Sequence, residues 1–510
     1  MKNLADVVLA NPAARPEAIA LTDSDGQRTY AQLAQRIHAV ARFLGTPGSQ
    51  PGDRVALLLP NGCAFVETQL GCALAGHLCV PLNLRQLPEE QQRILRDAQA
   101  TVLFVHARYV DRIAGFRDAL PGLHTVVMVG QGQEPGTIAY DTLFTAPHND
   151  VRLPAVDRDS GAVMLYTSGT TSAPKGAVLT HANYLANLRQ YLAAVGLPEG
   201  GVNLQLSPMF HAAGIFCLVH LLRGARTVFL EKVEPAAILD AIERERVTFM
   251  FTVPTVLYQL LDQPDLPLRD ITSLQRVQYG AAPITGSRLH QAMRVFGQRL
   301  QHSYGMTEGT SHVSILLGAG HETHAGSVGQ TLPGVELRVV DDEGREVATD
   351  EIGELIVSGP NVFSGYWRQP VVTLETLRDG WLHTGDLGRR DAQGFIYVID
   401  RKKDMIISGG ANIYPSDIED ALMRHPAVAE CAVFGVPDEL WGEAVAAAVV
   451  LRAGHAPDEA ALIAYLRGHL GGYKVPKKLW IMNALPKNAT GKILKRELRV
   501  QCDSGDRQAT

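Results

Sequence analysis

No apolar run in the sequence reaches the roughly 18 residues that a membrane-spanning helix needs, so no span is expected. The opening residues, 1–17 (MKNLADVVLANPAARPE), lack both a basic start and a long apolar core, so no signal peptide is expected either. Positive charge is not in excess: 47 Lys and Arg stand against 53 Asp and Glu, a formal charge of −6. A nucleic-acid binder needs a basic footprint to offset phosphate charge, and that class is set aside. Cysteine is scarce. The six residues Cys63, Cys72, Cys79, Cys217, Cys431 and Cys502 form no CxxC pair, which suits small core residues or free thiols in a cytoplasmic protein. His321 and His324, in HETH, lack the HExxH spacing and any third ligand nearby, and are expected on the surface. Residues 130–136 (GQGQEPG) hold Pro135 and lead into no helical pattern, so they are not a dinucleotide-binding turn.

What is present is a long and ordinary globular composition. The 510 residues exceed one hydrophobic core, so at least two domains are expected. The first three-quarters alternate short apolar runs, such as 54–59, 101–105, 162–166, 227–230 and 248–252, with helical patterns at 235–245 and 285–296. Alternation of this kind predicts an α/β architecture with mostly parallel sheet buried on both faces. After about residue 330 the pattern changes to antiparallel strands, at 336–340 and 354–357, set off by turn residues. A second change falls near 400, where DRKKD and the Gly409–Gly410 pair suggest an exposed junction. Beyond it lies a small α+β stretch with helices from Ser416 and Asp458 and strands at 431–436 and 444–451. The expected domains are 1–400 and 401–510, and the polar tail after Val500 is expected to fray.

The most informative segment is 166–176, YTSGTTSAPKG. An apolar strand runs into a loop that holds Thr167, Ser168, Gly169, Thr170, Thr171, Ser172 and Lys175, and Thr180 then caps a helix over 182–195. Glycine lets backbone N–H groups approach an anion, hydroxyls donate further hydrogen bonds, and the lysine adds charge: the ingredients of a phosphate cradle. A flexible Ser/Thr/Gly linker would be the ordinary alternative. The Walker A loop needs its lysine after a glycine, and here Pro174 precedes Lys175.

This segment resembles the phosphate-binding signature of the adenylate-forming superfamily, with Ser172 where glycine is usual. Further motifs follow in that superfamily's order over nearly the whole chain. The resemblance implies a large N-terminal domain of mostly parallel sheets with flanking helices, a β-barrel-like subdomain, and a small mobile α+β C-terminal domain. It implies ATP, Mg²⁺ and coenzyme A as the small molecules handled. In YGAAP, Gly280, Ala281 and Ala282 become adenine neighbours. In YGMTE, Tyr304 and Gly305 lie at the base, Thr307 offers a hydroxyl to phosphate, and Glu308 is the Mg²⁺ ligand. Asp386, in WLHTGD, accepts from the ribose hydroxyls, with Arg401 as second ribose contact. Lys492, in PKNATGK, is implied as the catalytic lysine that neutralises charge at the α-phosphate. His211, in SPMFHAAG, borders the acyl pocket.

The resemblance also implies a two-step reaction in which the C-terminal domain swings about Lys403. The swing removes Lys492 and brings the Gly409–Gly410 strand, Trp441 and Tyr473 toward a thiol acceptor; Ala411 stands where glutamate is common. The implied activity is an AMP-forming acid–thiol ligase acting with free coenzyme A, or with a carrier-protein phosphopantetheine in the alternative reading. A non-enzymatic nucleotide-binding protein is the other alternative, although such a protein should lack Lys492. The pocket segments carry no Arg or Lys, which counsels against a dicarboxylate; they look closest to medium- or long-chain fatty acyl-CoA synthetases, with aryl-CoA ligases next. The expected partners are a small carboxylic acid and coenzyme A, with the chain as a monomer or homodimer.

Overall fold

The computed structural model describes the chain except residues 12–14, 47–48, 115–118, 133, 146–150, 168–174, 231, 283, 285, 410, 439, 453, 457, 488–492 and 504–510. Ser168, Gly169, Thr170, Thr171, Ser172, Gly410 and Lys492 therefore lie outside the described residues. Among the described residues the strands form four sheets, of nine, eight, five and five strands. The eight-stranded sheet pairs Arg54–Leu58 in parallel with Leu78–Pro81 and with Val102–His106, which is followed by Thr125–Val129. The nine-stranded sheet runs Arg226–Phe229, Val202–Gln205, Phe249–Thr252, Arg276–Gly280 and Leu300–Tyr304 side by side, all parallel. Arg54–Leu58, Val102–His106, Arg226–Phe229 and Phe249–Thr252 fall on apolar runs of the sequence, while Val202–Gln205, Arg276–Gly280 and Leu300–Tyr304 carry polar residues and are largely buried all the same.

Helices cover the sheets for reasons visible locally. Tyr30–Leu44 starts on a Thr29/Gln32 capping box and buries Tyr30, Leu33, Ile37, Val40, Ala41 and Leu44, one helical face. Its neighbour Cys63–Ala75 is buried nearly all round, including Glu67. That buried carboxylate takes hydrogen bonds from Arg36 Nε (2.7 Å), Arg28 Nε (3.2 Å) and the Tyr140 hydroxyl (2.8 Å), the partners a buried charge requires.

The third sheet is antiparallel, joining Glu336–Val340, Gly353–Ser358, Trp381–Arg390 and Ile396–Arg401. The fourth belongs to the C-terminal region, where Val428–Asp438 and Gly442–Leu451 form a long antiparallel pair flanked by Pro415–Met423 and Glu459–Arg467. The apolar clusters on this last sheet draw on residues 406–502. Cys63, Cys72, Cys79, Cys217 and Cys431 are buried, and all six cysteines are free thiols. No helix among the described residues is long and apolar enough to cross a membrane.

Three expectations are corrected. Lys175–Thr180 is a strand, antiparallel to Gly161–Thr167, so the glycine-hydroxyl loop is a hairpin connection and not a strand-to-helix turn. Thr180 still caps the helix His181–Val195, through its hydroxyl and the Asn183 N–H. His321 is buried, with Nε2 3.3 Å from the Tyr279 hydroxyl, and His324 stacks on Phe395 at 3.5 Å. The tail is helical over 501–503, where helix Lys495–Asp503 continues past Val500, and its remaining residues, 504–510, lie outside the described residues.

Burial holds several imidazoles neutral: His181, His220 and His302 are pushed down to about 4, and His312 to about 3. In the unfolded chain each reverts to about 6.5 and binds a proton more readily. Their contribution to stability is therefore complete above pH 6.5 and is lost as the pH falls from there toward 4. Thermal denaturation should show Tm dropping steadily between pH 7 and 5, with His302→Gln flattening part of the slope. A Tm constant over that window would contradict it.

Candidate active site

The carboxyl ends of strands from both parallel sheets open into one cleft of about 2100 Å³. Leu59, His106, Val129 and Thr167 line it from one sheet, and Leu206, Phe251, Thr252, Ala281 and Gly305 from the other. This is where parallel sheets generally bind ligands, because loops and unpaired backbone groups gather there.

Three groups of side chains meet at the cleft. The first is built on Asp386, which is buried at 3% exposure and lies outside the lining, as does Tyr304, behind the lining residues Gly385 and Arg401. The Tyr304 hydroxyl donates to Oδ2 at 2.6 Å, and Arg401 Nε lies 2.6 Å from Oδ1. Burial and the facing carboxylate together raise the Tyr304 hydroxyl well above its usual range, so it stays a donor. The Asp386 N–H rests on Thr384 Oγ1, and Asp386 pairs with Arg401 in the antiparallel register.

The second group lies beside the hairpin of Gly161–Thr167 and Lys175–Thr180. Thr167 and Lys175 sit opposite each other at the mouth of the hairpin, and Thr307 and Glu308 form a short helical turn across from it. Glu308 accepts from the Tyr366 hydroxyl at 2.7 Å, and the Lys175 ammonium lies 5.6 Å from the Tyr366 ring centre. Among the described residues no cation is paired with Glu308. Nor is there a cluster of three His, Cys, Asp or Glu able to hold an ion alone. A single carboxylate fits Mg²⁺ carried on phosphate oxygens, since that ion keeps waters and takes one or two carboxylates.

The third group is apolar. His211, Phe216, Phe229, Phe251, Val256 and His312 line one stretch of the cleft. Phe216 stacks on Phe251 at 4.5 Å and meets His312 edge-on at 5.0 Å. His211 packs on Phe210 at 4.6 Å, and burial with Arg85 nearby pushes it down to about 4, leaving a neutral ring.

Glycine is required at two of these positions. A Cβ on Gly305 would stand 1.6 Å from the Ser311 carbonyl oxygen, and one on Gly280 would stand 2.5 Å from that of Ser303. Gly280 ends its strand buried, and Ala281 follows at φ +68, a left-handed conformation, facing the cleft. Ala282 is exposed and outside the lining. Lys403 lines the cleft, while Lys402 anchors the junction to Asp342 (2.8 Å) and Glu354 (3.3 Å). Gly409, Trp441 and Tyr473 lie away from the lining. Trp441 covers Gly409 and carries Lys477 over its ring at 4.6 Å, and Tyr473 is 60% exposed. Tyr366 and the aromatic wall of Phe216, Phe251 and His312 were not singled out in the sequence, which has only a lone SGYW turn to mark the tyrosine.

The AMP-binding enzyme model matches residues 9–367, and the AMP-binding enzyme C-terminal domain model matches 417–492. The chain belongs to the AMP-binding enzyme family. It is 39% identical over 489 residues to a feruloyl-CoA synthase of an Amycolatopsis species, covering 95% of this chain and 96% of that protein. It is 36% identical over 487 residues to an indoleacetate–CoA ligase of Aromatoleum aromaticum, covering 95% of each. Among solved structures, the amide bond synthetase McbA of Marinactinospora thermotolerans superposes with a TM-score of 0.89 at 32% identity over 98% of each chain.

If Asp386 accepts from nucleotide hydroxyls, as its motif implies, its charge should matter for ATP binding. Asp386→Asn keeps the shape and removes the charge. Charged hydrogen bonds contribute about 1.5–3 kcal/mol, so the Kd for ATP by calorimetry should rise roughly ten- to a hundredfold. An unchanged Kd would remove Asp386 from the nucleotide site.

Proposed function

We propose that this chain is an ATP-dependent acid–coenzyme A ligase of the AMP-forming kind, and that its preferred acid carries an apolar ring. The observation that carries the reading is one cleft lined by Arg401, Glu308, Lys175 and an aromatic wall, with the buried Asp386–Tyr304 pair bonded directly behind Arg401. A carboxylate oxygen attacks the α-phosphorus of ATP and the bond to pyrophosphate breaks, leaving an acyl-adenylate. The thiol sulfur of coenzyme A then attacks the acyl carbon, loses its proton, and AMP departs with the original carboxylate oxygen. No side-chain nucleophile is needed, so positioning and charge neutralisation do the work.

In this reading Asp386 and Arg401 orient the ribose, and Gly280, Ala281 and Gly305 let the base lie against backbone. Thr167, Lys175 and Thr307 hold phosphate oxygens together with Ser168, Gly169, Thr170 and Thr171. Glu308 holds Mg²⁺, which when bound neutralises the triphosphate. Lys492 is assigned to the adenylation step by its motif. The two domains divide near residue 400, and Lys403 is the hinge about which 401–510 swings toward the thioester step. Gly409, Gly410, Trp441 and Tyr473 then meet the thiol donor. Free thiols and the use of ATP and coenzyme A fit a cytoplasmic setting.

The aromatic wall supports the choice of acid. Flat rings pack well on Phe216, Phe251 and His312 by offset or edge contacts, and the relatives named for feruloyl and indoleacetyl groups act on ring-bearing acids. Aryl acids thus rank ahead of medium- and long-chain fatty acids, and Phe216, Phe251 and His312 themselves offer no cation to a second carboxylate, the nearest named one being Arg85 beside His211.

AMP release should be assayed with coenzyme A and a panel of aryl, fatty and dicarboxylic acids. The expected result is highest kcat/KM for an aryl acid, lower values for fatty acids and none for dicarboxylates. Turnover with a holo-carrier protein but not with coenzyme A would reassign the acceptor. No acid-dependent pyrophosphate exchange with any acid would leave only nucleotide binding. In the same assays Lys403→Pro, which fixes φ in the junction turn, should spare pyrophosphate exchange and slow thioester formation at least tenfold. Normal overall ligation would remove the hinge.

A further inference from the structure

The segment 363–367 (FSGYW) belongs to none of the motifs above, yet it is bonded to both sides of the phosphate end of the cleft. On one side it adds a short strand to the hairpin: Gly365 and Tyr366 pair with Val178 and Ala177, and the Trp367 N–H donates to the Gly176 carbonyl at 2.7 Å. Those partners directly follow Lys175. On the other side it holds Glu308 twice. The Phe363 N–H donates to the Glu308 carbonyl at 2.8 Å, and the Tyr366 hydroxyl donates to Glu308 Oε1 at 2.7 Å.

The segment is itself fixed. The Asn183 side-chain amide donates to the carbonyls of Pro360 (2.9 Å) and Val362 (2.8 Å). The Tyr366 N–H donates to Thr373 Oγ1 at 2.9 Å, and Trp367 Nε1 donates to the Asp97 carbonyl at 3.1 Å. A tyrosine anchored this way presents a rigid donor to one carboxylate oxygen and leaves the second oxygen to another partner. Tyr366 lines the cleft beside Lys175.

We infer that Tyr366 is a positioning residue: it fixes the plane of the Glu308 carboxylate relative to Lys175, so that Mg²⁺ on the nucleotide phosphates meets a preset oxygen. The inference rests on the reading of Glu308 as the Mg²⁺ ligand.

Tyr366→Phe keeps the ring and the backbone pairing and removes only the donor. Two readouts test it on the full chain: calorimetric titration of Mg²⁺ with a non-hydrolysable ATP analogue present, and the Mg²⁺ dependence of acid-dependent pyrophosphate exchange. The expected result is a rise of about tenfold in half-saturating Mg²⁺ in both, the effect of losing one charge-assisted hydrogen bond. The KM for the acid and metal-free nucleotide binding should not move. Glu308→Gln should show a larger rise, and adding Tyr366→Phe to it should change nothing further, because the two act through one oxygen. If Glu308→Gln shifts the Mg²⁺ curve and Tyr366→Phe leaves it in place, the positioning role is overturned while Glu308 keeps its assignment. If Glu308→Gln itself shifts nothing, the metal-ligand reading falls first and the inference with it. A Tyr366→Phe variant that loses acid and nucleotide affinity in equal measure would mark the residue as structural, and would overturn the inference too.

Discussion

A carboxylate buried at 3% exposure must be matched by donors, and Asp386 draws its donors from separate parts of the chain. Tyr304 ends a strand of the nine-stranded sheet, Asp386 lies in the antiparallel sheet, and Arg401 is the last residue of that sheet before the junction. The ion pair and hydrogen bond therefore fasten the floor of the cleft to the start of the C-terminal region. Removing Arg401 would leave the Asp386 charge buried with no opposite charge, a larger loss than the bond itself. In the proposed cycle the same carboxylate orients the nucleotide, so nucleotide binding and the setting of the junction share one anchor.

The rest of the cleft follows from what the two parallel sheets do at their carboxyl ends. Each delivers short loops to a common space, and the chemistry asks those loops for placement instead of a nucleophile. Gly305 and Gly280 have no room for a side chain because backbone carbonyls stand where Cβ would be. Lys175, on a strand, and Glu308, in a short helical turn, both line this space, and Tyr366 donates to Glu308 with its ring beside Lys175. Such fixed polar groups cost no reorganisation when charge develops in a transition state.

The sequence was legible where local physics decides. The helix over Pro235–Glu245 and the strand Glu336–Val340 stand where periodicity puts them, and Asp458 caps Glu459–Arg467 as an aspartate at that position should. It was misleading where pairing decides. Lys175–Thr180 has an unremarkable composition and becomes a strand because Gly161–Thr167 offers it an antiparallel edge. His321, in the short helix Gly320–Thr323, is buried because Tyr279 and His302, from two adjacent strands, make a stacked polar niche for it. Asp386, Arg401 and Glu308 could be singled out because short motifs surround them, and the fold brings Asp386 and Arg401 into one ion pair. Tyr366 could not, since its partner lies 58 positions away and only the fold joins them.

The account turns on one bond: the attacking atom is the acid's carboxylate oxygen, and it leaves with AMP. The direct test supplies an aryl acid labelled with ¹⁸O in both carboxylate oxygens, with ATP, Mg²⁺ and coenzyme A, and weighs the AMP by mass spectrometry. One ¹⁸O per AMP, with unlabelled pyrophosphate and one ¹⁸O kept in the thioester, is the predicted result. Unlabelled AMP, or label found in inorganic phosphate beside ADP, would contradict it.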